Sequence, residues 1–305
     1  MKDSSKKQIE ISEPVIKCVP NFSEGKDKKI VEKIAEAIME VKGISVFDVH
    51  IDPSHNRSVI TFIGHPEAVV QAAFNATKTA AKLIDMTKHR GEHPRIGSTD
   101  VIPIVPMKNI SAEECVKYAE KLATKIAEEL KIPIYLYEKA AKSEERKNLA
   151  NTRKTGYEKL KQKIEKDSSL KPDFGPQKLG SAGATMIGVR NFLIAYNINL
   201  KSKDLEAAKE IAKKIRESAG GLKGVKAIGL NLGHKNIVQV STNITDYKTV
   251  GIKEVFEAVK KEAKKRNIEI LESEIVGMIP KDALPKKHEE TILLKDFSKS
   301  CVIKN

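Results

Sequence analysis

The apolar pattern of this chain runs through one order of elements twice, and no other feature limits its fold as strongly. In the first pass, Val15 to Val19 alternates as a strand. The turn Asn21-Phe22-Ser23-Glu24-Gly25 leads into a helix over 27–42, with Ile30, Val31, Ile34, Ala37 and Ile38 on one face. Ile44 to Val49 and Ser58 to Ile63 read as strands on either side of the polar segment Asp52 to Arg57. A second helix, about 66–87, carries Val69, Val70, Ala73, Ala80 and Leu83, and Val101 to Val105 is a buried strand. The second pass has a strand from Phe192 to Leu200 and a helix from Lys203 to Glu217, ended by Gly220-Gly221. Strands from Val225 to Leu232 and Asn236 to Thr242, a helix from Ile252 to Lys265 and a strand from Ile268 to Val276 complete it. Each pass is β-α-β-β-α-β, the split βαβ or ferredoxin-like unit. The expected fold class is α+β: two ferredoxin-like (βαββαβ) subdomains with a cleft between them, where small-molecule sites tend to lie.

Between the passes, Ser111-Ala112-Glu113-Glu114 is a capping box that opens a helix to about Leu130. Ile132 to Tyr137 is a further strand. Lys139 to Asp167 is a charged run with a helical pattern, expected to present a solvated face, and Ser168 to Gly188 reads as loop or linker from its Gly and Pro. The expected boundaries are a flexible N-terminus at 1–13, an N-terminal subdomain at 14–188, a C-terminal subdomain at 189–285 and a basic tail at 286–305.

A net charge of +14 calls for anionic partners: nucleic acid, acidic lipid or a polyanionic small molecule. Aromatic residues are only 5%, with no Trp, which argues against a stacking platform for single-stranded nucleic acid. The strand Val225 to Leu232 has no aromatic, and the chain has no K/R-G-F/Y sequence, so the RNA-binding variety of this fold is disfavoured too. No apolar run approaches the roughly 20 residues of a membrane span, and the first residues lack an apolar signal core. Cys18, Cys115 and Cys301 are odd in number and far apart, which suggests no disulfide framework. A cytoplasmic protein with no membrane partner is expected.

The densest chemistry lies in His89-Arg90-Gly91-Glu92-His93-Pro94-Arg95-Ile96-Gly97-Ser98. Gly91, Pro94 and Gly97 forbid a continuous helix, so this is a polar loop between a long helix and a buried strand. Arginine neighbours hold an imidazole in its neutral form near physiological pH, as a general base requires. His93 is favoured for that role over His89, which falls at a helix end, where a cation caps exposed carbonyls. The spacing of His89 and His93 also resembles H-E-x-x-H, but the helix is broken and Arg90 stands where the Glu belongs. No metal is expected.

This loop, continued as Thr99-Asp100-Val101-Ile102-Pro103-Ile104-Val105-Pro106, resembles the signature of the glutamate formimidoyltransferase (formiminotransferase) family. So do Cys18-Val19-Pro20-Asn21-Phe22-Ser23-Glu24-Gly25, Asp52-Pro53-Ser54-His55-Asn56-Arg57-Ser58-Val59, Asp173-Phe174-Gly175-Pro176 and Val240-Ser241-Thr242-Asn243. The likeness to the formiminotransferase part of formimidoyltransferase-cyclodeaminase runs from about residue 15 to about residue 285. It implies transfer of the formimino group of N-formimino-L-glutamate to N5 of tetrahydrofolate, a co-substrate, giving 5-formiminotetrahydrofolate and L-glutamate. N5 attacks the formimino carbon and loses a proton, and the departing glutamate nitrogen gains one. By the resemblance His93 carries that proton. Arg57, Arg95, Asn56 and His50 are assigned to the substrate; arginine suits its carboxylates through paired hydrogen bonds. The mammalian form has an aspartate where this chain has His50, with Asp52 and His55 nearby. The family's folate-binding segment falls on Gly175-Pro176-Gln177-Lys178-Leu179-Gly180-Ser181-Ala182-Gly183, shorter here and without Trp. The charge suits polyglutamyl folates. A homodimer and a separate cyclodeaminase are the further partners expected.

Two other readings stand beside this one. Formyl transfer between glutamate and folate N5 would use the same histidine. A non-enzymatic polyanion- or RNA-binding module would rest on charge alone.

Overall fold

Asp27 caps the first helix, α1 (Lys28–Met39), by accepting from the Lys29 amide at 2.9 Å. The capping box expected at Ser111 is present. Its hydroxyl accepts from the Glu114 amide at 3.1 Å, and the Glu114 carboxylate accepts from the Ser111 amide at 2.8 Å, which starts α3 (Ala112–Leu130). These elements belong to a computed structural model that describes residues 13–91, 94–233, 235–295, 297, 302 and 303. The expected flexible N-terminus lies, except for Glu13, outside the described residues.

The first sheet holds β1 (Val15–Cys18), β2 (Asn21–Phe22), β3 (Ser45–Asp52), β4 (Arg57–Gly64), β5 (Thr99–Lys108), β6 (Ile134–Glu138) and β7 (Thr185–Val189). β1 and β2 follow each other between β4 and β5, β3 flanks β4, and β7 and β6 extend the β5 side in parallel. α1 and α2 (Pro66–Leu83) pack on each other. Ile34, Ile38, Val69, Ala73, Phe62 and Ile104 join one buried core. The second sheet holds β8 (Ile194–Leu200), β9 (Val225–Leu232), β10 (Ile237–Ile244) and β11 (Ile270–Val276), joined through α6 (Leu205–Ile215) and α7 (Ile252–Lys264). Its spatial order is β11-β8-β10-β9, which is 4-1-3-2 within the unit. Ile194, Tyr196, Ile198 and Leu200 of β8 meet Ile211, Val255 and Val259 of the helices in a second core. The protein is thus α+β with two large sheets, each carrying its own core.

Four expectations change. Thr185–Val189 lies in the stretch read as linker and is a fully buried central strand. A run this short between glycines carries too few periods to separate strand from loop. The charged run from Lys139 is broken into a 3-10 turn (Glu144–Lys147), α4 (Leu149–Arg153) and α5 (Gly156–Lys163), and it buries Tyr157, Leu160 and Ile164. It is therefore not a wholly solvated face. The second helix ends at Leu83, so His89 sits beyond a turn rather than on a helix end. The segment read as a basic tail contributes Ile292 and Leu294 to the second core, and Ser273 donates to the Ile292 carbonyl at 2.6 Å. Burial of each side chain is worth about 1.5–3 kcal/mol, enough to hold a segment that the surrounding lysines disguise.

Candidate active site

Side chains alternate across a strand, so a sheet covered by helices on one face leaves every second residue on the other. The uncovered faces of the two sheets enclose a cavity of about 630 Å³, a usual size for a small-molecule site. From the first half it is lined by Lys17 of β1, Asn21 of β2, His50 and Asp52 of β3, Arg57 of β4, and Arg190 just past β7. Asn197 of β8, Gln239, Ser241 and Asn243 of β10, and Ile228 and Leu230 of β9 line it from the second half. Among the described lining residues six are Lys or Arg (Lys17, Arg57, Arg153, Lys154, Arg190, Lys226) and two are carboxylates (Asp52, Glu138). That imbalance inside a concave wall concentrates positive potential and favours an anionic ligand.

Lys17 is 3% exposed, and its ammonium stands 3.7 Å from the centroid of the Phe192 ring. Burial, with the Arg190 charge added, holds it well below the ordinary lysine range. Burial also pulls the Arg57 guanidinium down, to about 9, with Arg153 adding to the effect and Asp100 and Asp52 opposing it. Arg57 is therefore still a cation at neutral pH, and it donates to the Asn21 side-chain oxygen. Arg153 ion-pairs with Asp100 at 2.5 Å and donates to the Pro94 carbonyl at 2.7 Å. Asp100, its side chain 3% exposed, also accepts from the Ile96 amide at 2.9 Å. One carboxylate thus ties α4 to the segment that follows His93.

Asp52 bonds the His55 Nδ1 and accepts from the Ser54 and His55 amides at 2.9 and 3.1 Å. Burial would raise its pKa, but the bonds to His55 outweigh that and hold it below the ordinary aspartate value. The Asp52 carboxylate therefore stays ionised beside His55. His50 and His55 both line the cavity.

Not every residue assigned from the sequence reaches this wall. His93 and Glu92 lie outside the described residues; Pro94, next to His93, lines the cavity. Arg57 and His50 are in the wall. Arg95 is turned to other work: its Nε donates to His89 Nδ1 at 2.9 Å and its Nη2 to Glu158 at 2.7 Å. The other His89 nitrogen bonds the Asn56 carbonyl at 3.1 Å. Nδ1 is then the acceptor and Nε2 the donor, which is the neutral ring. Burial, the largest influence on it, keeps His89 below the ordinary histidine value. Asn56 joins three segments, accepting from the Gly25 amide at 3.0 Å and donating to the Arg90 carbonyl at 2.8 Å. Gly175 through Gly183 are absent from the cavity wall. Their end packs under the histidine loop: a Cβ at Gly97 would lie 2.0 Å from the Ala184 carbonyl oxygen, and one at Gly183 would lie 2.3 Å from that of Ile96. Two glycines let those backbones touch.

Sequence reasoning missed Lys17, Arg153, Arg190, Asn197 and Gln239. The signal for Lys17 is a lone cation in the apolar strand Val15-Ile16-Lys17-Cys18. For Asn197 and Gln239 it is a polar residue at alternate positions of largely apolar strands, Asn197 and Asn199 in one and Gln239, Ser241 and Asn243 in the other. Arg153 was hidden in a run of charges, and nothing in its neighbourhood sets it apart.

A cation-rich cavity between two sheets, each with its own core, marks an α+β protein with a site at the junction of its halves. Residues 15–190 match the formiminotransferase domain, N-terminal subdomain, and residues 195–292 match the formiminotransferase domain. The chain belongs to the formiminotransferase family. It is 45% identical over 291 residues to the glutamate formimidoyltransferase of Thermoplasma acidophilum, covering 95% of this chain and 96% of that one. It is 41% identical over 284 residues to the Streptococcus pyogenes glutamate formimidoyltransferase, covering 93% and 95%. The mouse formimidoyltransferase-cyclodeaminase is 44% identical over 277 residues, which is 88% of this chain and 51% of that enzyme. No helix among the described residues is long and apolar enough to cross a membrane.

Proposed function

We propose that this protein is a glutamate formimidoyltransferase: it moves the formimino group of N-formimino-L-glutamate to N5 of tetrahydrofolate, releasing L-glutamate. The observation that carries this reading is the cavity, whose described lining residues include six Lys or Arg against two carboxylates. Formiminoglutamate brings two carboxylates and a folate brings at least one more, so both substrates demand cations. Relatives named for this activity match nearly the whole chain. Arg57, a half-buried cation in the wall, takes a substrate carboxylate, and the surplus charge favours polyglutamyl folates. N5 attacks the formimino carbon, and its proton must reach the glutamate nitrogen as that nitrogen leaves. His93, preceding Pro94 on the cavity rim, is the group that carries it. Orientation of two bound substrates supplies much of the remaining rate.

A single-turnover experiment with tetrahydrofolate and either formiminoglutamate or formylglutamate tests this. Formation of 5-formiminotetrahydrofolate from the first donor is the expected result. Transfer from formylglutamate alone would replace it with the formyl reading, and salt-sensitive RNA binding without any transfer would overturn both. In the same assay Arg57→Ala should raise KM for the donor about tenfold or more, because a hydrogen bond to a charged group is worth about 1.5–3 kcal/mol.

A further inference from the structure

β1 is a central strand, paired with β4 on one side and β5 on the other. All four of its residues are buried, and one of them is Lys17. Lys17 pairs in register with Ile63 and Val105, so apolar residues flank it on both neighbouring strands. Phe192, from the segment joining the two sheets, covers its Nζ with a ring centroid 3.7 Å away. That ring is met edge-on by Tyr247 of the second half, with centroids 6.4 Å apart. Lys17 nevertheless lines the cavity. Among the described residues no carboxylate ion-pairs with it, and the charge that acts on it is the Arg190 guanidinium, of the same sign.

An ammonium taken out of water without a counter-ion is costly, and a second cation beside it raises the cost. The face of one ring returns only part of that. The favoured state is the free amine, in accord with burial holding Lys17 well below the ordinary lysine range. A desolvated lysine next to another cation is the arrangement that makes this side chain a nucleophile toward carbonyl carbon. The transfer chemistry given above makes no use of it. The surplus of cations in the same wall collects anions.

We propose that Lys17 is a site of reversible imine formation with small anionic aldehydes. Nζ bonds to the aldehyde carbon, giving a carbinolamine. The oxygen then leaves as water with the two protons of the amine, and a C=N bond remains. Arg190, beside the amine in the cavity wall, takes the anionic group of the aldehyde. While the imine stands the cavity is occupied and transfer stops; water reverses it.

The probe is pyridoxal 5′-phosphate in equimolar amount at neutral pH, fixed with borohydride and mapped by peptide mass spectrometry. Exposed lysines are charged there, so most of the label should fall on Lys17. Uncharged pyridoxal should label it about tenfold less, the worth of one hydrogen bond to a charged group. Lys17→Met should remove most of the label taken up by the whole protein, with the thermal midpoint showing that the variant folds. If it does not fold, the wild-type peptide map decides alone. Label spread over exposed lysines with Lys17 unmodified would overturn the site, and equal labelling by both aldehydes would overturn the demand for an anion. Label at Lys17 with transfer undiminished would overturn the block. A protein that takes the label at Lys17 but transfers no formimino group keeps this site and sinks the proposed function alone.

Discussion

On the first sheet the cavity-facing positions hold Lys17 and Arg57, with Arg190 just past β7; on the second they hold Asn197, Gln239 and Ser241, with Lys226 as the cation of that side. The βαββαβ order is shared, so the topology does not set this difference. It comes from which residues occupy the alternate positions of strands whose other face is committed to a core. The charged wall also needs more support. Among the described residues β6, β7 and α4 have no counterpart in the second half, and they bring Arg190 and Arg153 to the cavity and pin Arg153 on Asp100. The amide wall is held by four hydrogen bonds among Asn197, Asn199, Gln239, Glu272 and Glu274. Charges taken out of water need partners placed by additional structure, while amides satisfy one another along a sheet.

The contrast breaks most sharply if the chemistry is not on the charged side. His93→Ala should slow the transfer step by about 10²–10⁴-fold with little change in substrate Kd, the worth of a positioned proton carrier. The rising limb of the wild-type pH–rate profile should vanish with it. Near-normal turnover there, with loss of rate in His55→Gln instead, would move the proton to the Asp52–His55 pair. Next in size is the support beneath the charged wall. Asp100→Ala strands the Arg153 charge and should destabilise the protein by about 3–5 kcal/mol, read from denaturant midpoints; an unchanged midpoint would mean that the pair is dispensable.

A smaller effect follows from His89, which burial keeps neutral. The unfolded chain protonates this histidine near about pH 6.5, and the folded chain does so only at lower pH. Below that value the unfolded state binds more protons, so the stability from His89 is full above it and is lost as pH falls through the lower folded value. His89→Gln should flatten the pH dependence of the unfolding midpoint between neutral and mildly acidic buffer; an identical slope would place the effect elsewhere. The least consequence is expected at Lys226, which reaches across the cleft to Glu138 at 3.4 Å and is 56% exposed. Lys226→Ala should change stability by less than about 1 kcal/mol, and a large drop would show that the two halves depend on that bridge.

The repeat of elements, the capping box at Ser111 and the core faces of α1, α6 and α7 were legible because local spacing repeats over several turns. Arg57, assigned to the substrate through the family motif, and His50, assigned by comparison with the family at a position where this chain departs from the mammalian form, both line the cavity. Arg95 and Asn56 belong to the same motifs and serve the loop instead, one holding His89 and Glu158, the other joining Gly25 to Arg90. A motif records that residues are needed together and does not say which of them faces the ligand. The strand Thr185–Val189 was illegible for the reason already given, its brevity, and the inward turn of Arg153 because a charge among charges carries no periodic mark.

By itself the sequence determined the class of fold, the two cores and the cationic character of the ligand site, since each follows from spacing or from a sum of charges. Only the tertiary structure decided which cations enter the cavity and which acids hold them, and that the second sheet meets the first with a row of hydrogen-bonded amides. Those outcomes depend on pairs such as Asp100 with Arg153 and Gln239 with Glu274, 53 and 35 residues apart in the chain. Contacts between residues so distant in sequence are set when sheets and helices pack, and no local pattern encodes them.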